Sequence, residues 1–310
     1  MGSVQTATEA AAASAESLAE CTEAWRRGSD FDSSDPCPAG HVLGMRVDAT
    51  SYRETAAAIA ALATTGVGGA VCVATVHMVM ESFDDPEFRR IVNAADRVTP
   101  DGVPLVWALR LLGFKRAQRV YGPSLLPVVC ELAKERQLSV GFYGGSSEVL
   151  DTLIERIARQ FPGLRISFAF APPFRALTPE ENAQVVDGIA NSETQILFVG
   201  LGCPKQERWI ADHRDSLSCV MVGVGAAFDF HAGSKAQAPS WMQDAGLEWM
   251  FRLCNEPGRL WWRYLYHNPR FLFHFARELA SRGGQRGSSH PTRGRNARSV
   301  QSRNSERSTS

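Results

Sequence analysis

From about residue 41 to residue 282, short apolar runs alternate with longer stretches whose apolar positions recur every three or four residues. The runs are Ala70–Thr75, Leu138–Tyr143, Ile166–Ala171, Ile196–Val199 and Cys219–Val224, and none contains a charged side chain. Runs that short and that uniformly apolar predict strands buried on both faces. Between them the periodicity predicts helices over Leu105–Leu112 and Glu148–Gln160, and another opening at Thr178-Pro179-Glu180-Glu181. There Thr178 is the N-cap, Pro179 takes the first helical position and Glu181 completes a capping box. The alternation predicts an α/β fold, a mostly parallel sheet covered by helices on both faces.

Such sheets bind ligands at the carboxyl ends of their strands. Four strand exits are polar or glycine-rich: Thr75-Val76-His77, Gly144-Gly145-Ser146, Cys203–Arg208 and Gly225–Asp229. One parallel sheet brings them to a common rim. The densest follows Ile196–Val199, where Lys205, Gln206, Glu207 and Arg208 open a helix behind Pro204. Gln206 offers a donor and an acceptor, which suits a sugar hydroxyl or a uracil edge, and Lys205 suits a phosphate. The bland alternative is a charged, exposed helix start. Gly144-Gly145-Ser146-Ser147 suits a diphosphate, because glycine lets a ligand approach the backbone N–H groups. It matches neither GxGxxG nor a Walker sequence. Asp101, in Thr99–Pro104, is either a turn residue or a general base fixed by backbone at the rim. Arg119–Ser124 precedes a further helix whose first turn, with Ser124, either meets a phosphate or simply starts the helix.

After Trp241 the texture changes. Four of the seven tryptophans fall between 241 and 262, and Arg252, Arg259, Arg263 and Arg270 are interleaved along the stretch. Pro257 and Pro269 divide this stretch into two or three short helices. Rings beside arginines suit a membrane interface, or else a helical cap packing its aromatics on the sheet. No run of about 18 apolar residues exists, so no membrane span is expected.

Formal net charge is zero, but the ends differ. Residues 1–37 carry seven acids against two arginines, and residues 281–310 carry seven arginines against one glutamate. Both ends are small and polar and are expected to be disordered. The basic tail has a charge suited to anionic lipid or nucleic acid, yet its composition equally fits a solubilising tail, and no nucleic-acid partner is expected. No basic-then-apolar leader opens the chain. Seven scattered cysteines without CxxC spacing fit a reducing compartment, with Cys72, Cys130 and Cys219 as small core residues. His77, His231 and His267 lie on separate segments without metal-type spacing, so no protein-bound metal is expected.

Six segments together resemble the WecG/TagA/CpsF family of glycosyltransferases, glycosyltransferase family 26. They are DDPEFRRIVNAADRVTPDGVPLVW, RVYGPSLLPVVCELA, VGFYGGSSEVL, ILFVGLGCPKQERWIADHR, VGVGAAFDFHAGSKAQAPSWMQDAGLEWMFRL and EPGRLWWRYLYHNPRF, in family order over roughly residues 41–275. The resemblance implies a Rossmann-like core over 41–240 and a C-terminal helical appendage over 241–282; the flanking segments 1–40 and 283–310, expected to be disordered on composition, carry no match. It implies an inverting, metal-independent, UDP-sugar-dependent hexosyltransferase whose acceptor is a polyprenyl-diphosphate-linked sugar, serving surface polysaccharide synthesis. It also implies self-association and a peripheral place on the cytoplasmic face of the cell membrane.

Carried over by position, Asp101 is the family's proposed base. Thr75, Lys205 and Gln206 fall to the donor site, and Gly144, Gly145 and Asp229 join it by their place at the strand exits. Arg119, Tyr121, Arg252, Arg259 and Arg263 fall to the acceptor and diphosphate site. Thr75 stands where the family usually has asparagine. It keeps a hydroxyl without the amide, which widens the expected sugar to an N-acetylmannosamine type, a hexose or a uronic acid. A second reading is a non-catalytic nucleotide-sugar- or lipid-binding scaffold of the same fold. A dinucleotide oxidoreductase is disfavoured, because no GxGxxG follows the first strand.

Overall fold

The computed structural model describes residues 37–244 and 246–287. An antiparallel hairpin, β1 (Ala39–Val42) and β2 (Met45–Asp48), leads into α1 (Tyr52–Thr65). Next come β3 (Gly69–Ala74), α2 (Val76–Asp84), α3 (Pro86–Asn93), β4 (Arg97–Pro100), α4 (Val103–Leu111) and α5 (Gly122–Glu135). Then follow β5 (Ser139–Gly144), α6 (Ser147–Gln160), β6 (Arg165–Phe170), α7 (Pro179–Asn191), β7 (Ile196–Gly200), α8 (Lys205–His213) and β8 (Val220–Gly223). The last described elements are α9 (Ala227–Ala232), α10 (Ser240–Asp244), α11 (Glu248–Asn255) and α12 (Pro257–Gly287).

Strands β3 to β8 form one six-stranded sheet in the order β4-β3-β8-β7-β5-β6, and every neighbouring pair is parallel. All five predicted strands are present, within a residue or two at each end. The period of two divides their side chains between two cores. Ala70, Cys72, Ala74, Leu197, Val199 and Met221 face one layer of helices, while Val71, Val73, Ile196, Phe198, Val220 and Val222 face the other. Cys72, Cys130 and Cys219 belong to these cores, where burial pushes their thiols up.

The chain grows from β3 to β4 toward one edge and from β5 to β6 toward the other, and β8 and β7 fill the gap. A crevice therefore opens above the carboxyl ends of β3, β8, β7 and β5. The Thr178 capping box on α7 is formed in full. Gly144 ends β5 at φ 130°, and a Cβ there would stand 2.5 Å from the Gly200 carbonyl oxygen, so this glycine lets β5 and β7 close at the rim.

The C-terminal region departs from expectation. Pro257 begins a helix, but Pro269 does not interrupt it: α12 runs unbroken to Gly287, past the boundary at 282. Pro269 and Leu265 both lie on the exposed face, where the carbonyl deprived of its partner stays accessible to water. The opposite face is docked on the core. Leu260, Phe271 and Phe275 are buried, Arg270 grips Asp84 of α2 through two bonds of 2.8 and 2.7 Å, and Leu43 N–H donates to Glu278 at 2.9 Å. Most of the two polar ends, residues 1–36 and 288–310, falls outside the described residues.

Candidate active site

Two cavities occupy adjacent parts of the rim. The smaller, about 110 Å³, lies beyond β3 and β4. Its floor comes from Thr75, Asp101 and Arg119, and its cover from Glu248, Arg252 and Tyr264 on α11 and α12. Thr75 caps α2, its hydroxyl accepting the Met78 N–H at 3.4 Å. Asp101 follows β4 directly and is pinned by its own N–H, which donates to the Ala74 carbonyl at 2.9 Å.

Arg119 ties the two halves of this cavity together. Its Nε donates to the Asp101 carbonyl, one terminal nitrogen lies 3.4 Å from Asp101 Oδ1, and the same nitrogen donates to Glu248 of α11. Its guanidinium also lies 4.4 Å from the centre of the Tyr121 ring. Burial pushes the Asp101 carboxyl up to about 6; Arg119 and Arg252 oppose that shift and Glu248 adds to it. Asp101 and Glu248 in turn hold the Arg119 guanidinium above its ordinary value against the pull of burial. Tyr121, expected to meet a diphosphate, is buried beneath Arg119, and burial raises its phenol well above the ordinary value. Arg252 sits 5.6 Å from the Phe230 ring centre and contributes to the cavity wall.

The larger cavity, about 1020 Å³, lies beyond β8, β7 and β5. Gly145, Lys205 and Asp229 line it together with Trp209, Gly225 and Lys235. Its volume is that of a site for a nucleotide-sized ligand. Lys235 pairs with Asp229 at 3.2 Å, so Asp229 positions a second cation there. Gly144 is a buried packing residue outside the lining. Gln206 is also outside it: the side chain is 2 % exposed, its Oε1 accepts the Gly225 N–H at 3.0 Å, and its Nε2 donates to Glu207 at 2.6 Å. Gln206 thus acts on the cavity through the loop it holds. The helical phase of α8 carries the reason. Gln206 stands four residues before the buried Ile210, whereas Lys205 and Trp209 share the face turned to the cavity.

The expected donor set therefore divides. Thr75 shares the smaller cavity with Asp101, Arg119 and Arg252, while Gly145, Lys205 and Asp229 share the larger. Arg259 and Arg263 lie on α12, and their side chains fall outside the described residues. Ser124 takes its place in the first turn of α5 and lines neither cavity. His231 is half-buried, and its Nε2 bonds the Pro123 carbonyl at 2.6 Å. His77 and His267, by contrast, are brought together beside Glu81. Glu248 is the main residue that sequence reasoning left without a role. Its partner Arg119 lies 129 positions away, and only its acidic place at the start of α11 signalled a pairing.

Three curated relatives are proteins named N-acetylglucosaminyldiphosphoundecaprenol N-acetyl-beta-D-mannosaminyltransferase. The one from Bacillus spizizenii is 31% identical over 206 residues, covering 66% of this chain and 77% of that protein. The one from Bacillus subtilis is 24% identical over 213 residues, covering 68% and 80%. The one from Staphylococcus aureus strain NCTC 8325 is 31% identical over 166 residues, covering 53% and 63%. The family described as Glycosyl transferase WecG/TagA/CpsF matches residues 40–285, which takes in both cavities and the helices that cover them. With that span and that similarity, the chain belongs to the WecG/TagA/CpsF family of glycosyltransferases.

Proposed function

We propose that this protein transfers a sugar from a UDP-sugar to a polyprenyl-diphosphate-linked sugar, with inversion and with Asp101 as the general base. The observation that carries the reading is the Asp101 carboxyl, held at the strand rim beside Arg119, next to a nucleotide-sized cavity and beneath helices α11 and α12. The acceptor hydroxyl oxygen attacks the anomeric carbon, the bond from that carbon to the UDP oxygen breaks, and the hydroxyl proton passes to Asp101. A single displacement inverts the centre and needs no covalent nucleophile. A carboxyl pushed up to about 6 is ionised at neutral pH yet more basic than an ordinary aspartate, which suits a general base.

Lys205 and the N–H groups after Gly145 hold the donor diphosphate, and Lys235 adds charge as UDP departs. Arg252 offsets charge on the diphosphate nearest Asp101. Thr75 gives the donor sugar a hydroxyl contact, so an N-acetylmannosamine-type, hexose or uronic-acid donor is accommodated. The names of the relatives favour an acceptor whose first sugar is N-acetylglucosamine on diphosphoundecaprenol.

Membrane association fits the same reading. Trp261, Trp262, Leu265, Tyr266, Leu272 and Phe273 are exposed at helical spacing on α12, forming an apolar stripe opposite its docked face. Among the described residues no helix is long and apolar enough to cross a membrane. The protein then works peripherally at the cytoplasmic face, the stripe lying in the headgroup layer that carries the acceptor.

The test is acceptor-dependent UDP release from a panel of UDP-sugars with a short-chain polyprenyl-diphosphate-sugar acceptor, run beside Asp101→Ala. Release with one sugar, lost in the variant, is the expected result. UDP binding without release for any sugar and acceptor would replace the transferase with a binding scaffold.

A further inference from the structure

Helices α2 and α12 pack together, and three donor side chains meet across their contact. His77 and Glu81 stand one turn apart on α2, and His267 comes from α12. His77 Nδ1 lies 3.6 Å, and His267 Nε2 3.9 Å, from the same carboxylate oxygen, Glu81 Oε1. One donor atom from each residue lies within 4.8 Å of the other two. The imidazoles meet edge to face, 4.9 Å between centres. We propose that His77, Glu81 and His267 form a site for a divalent transition-metal ion, zinc being the best match, that ties the C-terminal helix to the α/β core beside the Asp101 cavity.

The donor set selects the metal. Two imidazoles and one carboxylate are ligands for zinc and its first-row neighbours, whereas magnesium and calcium take oxygen ligands. Tetrahedral zinc with bonds of roughly 2.0–2.2 Å sets its donors about 3.4 Å apart. The separations of 3.6 and 3.9 Å need only a slight contraction to reach that, and the widest separation needs one on the order of 1 Å. Half-buried His77 and Glu81 with buried His267 give a site shielded from solvent without being sealed. Both histidines line the Asp101 cavity, so the site borders it.

The place of the site gives it a purpose apart from the transfer step drawn above. His77 lies in the first turn of α2, directly after the Thr75 cap at the exit of β3. One turn further along, Asp84 and Arg270 already clamp the same two helices. An ion on the trio fixes the first half of α12, and with it Tyr264 and the cover of the cavity, against the strand rim.

The test uses the full-length chain, stripped with chelator and titrated with Co²⁺ followed by visible absorption, then with Zn²⁺ by calorimetry. The expected result is one saturable Co²⁺ with ligand-field bands, displaced by Zn²⁺, and a higher melting temperature with Zn²⁺. Glu81→Gln and His267→Gln should each weaken binding at least about tenfold and abolish the thermal shift. The exposed His41→Gln should leave both readouts unchanged. Arg270→Ala loosens the same helix contact without removing a donor and should still bind the ion. No saturable binding, or equal binding in the Glu81 and His267 variants, would overturn the proposal. Loss in Arg270→Ala as large as in Glu81→Gln would overturn it too, by tracing the effect to helix docking.

Discussion

Replacing Asp101 by Asn removes a buried titration that should dominate a defined part of the pH–stability profile. In the folded chain this carboxyl is pushed up to about 6 from an ordinary 3.8, first by burial, with Arg119 opposing and Glu248 reinforcing. Its side chain is 15% exposed, so solvent screens the effect little. A carboxyl whose folded value lies above its unfolded value binds its proton more tightly in the native state. Its stabilising contribution is therefore complete below about pH 4 and is lost as pH rises through about 6. The gap of about two units, at 1.36 kcal/mol each, amounts to about 3 kcal/mol. Urea unfolding of wild type and Asp101→Asn between about pH 4 and pH 8 measures it. The stability of the variant relative to wild type should climb by up to about 3 kcal/mol across that window and then level off, while carboxylates common to both proteins cancel. A flat difference would refute burial as the cause, and a falling one would mean that Arg119 governs the carboxyl. The same shift sets the catalytic profile: kcat/KM of wild type should fall below about pH 6, and Asp101→Asn should lose roughly 10²- to 10⁴-fold in transfer.

Four further outcomes are expected. Glu248→Gln frees Arg119 to pair with Asp101 alone, so the acid limb of kcat/KM should move to lower pH, as read from a pH–rate profile. Arg252→Ala should lower kcat/KM by about 10²-fold with little change in melting temperature, if the cation it removes from the Asp101 cavity offsets diphosphate charge as proposed. Gly144→Ala should destabilise the fold by about 2 kcal/mol or more in chemical denaturation, since its φ of 130° and the 2.5 Å approach to the Gly200 oxygen leave no room for a Cβ. Trp261→Ser combined with Trp262→Ser should abolish sedimentation with anionic vesicles while leaving the melting temperature unchanged.

Much of the architecture was legible because it rests on short-range signals. A strand buried on both faces shows as an uncharged apolar run, and all five runs became strands, but only β3, β5, β7 and β8 are interior; β6 is an edge strand whose side chains are half-buried or exposed, so the run predicted the strand and overstated its burial. The capping box at Thr178 is equally local, since its two bonds join residues three apart. Strand β4 carries no such signal, for a physical reason. It sits at the sheet edge, is four residues long, begins with Arg97 and ends in Pro100, so neither length nor composition marks it. The β1–β2 hairpin is as short, and it turns through Leu43 at φ 52° and Gly44 at φ 84°, a leucine where a turn signal would call for asparagine or glycine. Pro269 shows the opposite limit. A proline that ends a helix in isolation is tolerated when the helix is clamped on both sides, here by Leu260 and by Phe271 with Arg270.

The site was legible only residue by residue, and what makes it a site is not local. Asp101, Arg119 and Arg252 carry signals in their own segments, but the surroundings that set Asp101, burial first and then Arg119, also include Glu248, which comes from a different element and shares the same guanidinium. The neighbours Lys205 and Gln206 look alike in sequence and act on opposite sides of a helix, because Ile210 fixes the phase of α8 four residues later. His77 and Glu81 at one-turn spacing mean nothing alone and gain a third donor only when α12 docks. The first and last of these couplings run between the α/β core and its C-terminal helices. The Asp101 carboxyl, its cationic partner and the cover over them therefore form one electrostatic unit. Perturbing the C-terminal helices should shift the pH dependence of Asp101 as well as its access to substrate. An appendage serving only as a membrane anchor would leave that pH dependence unmoved.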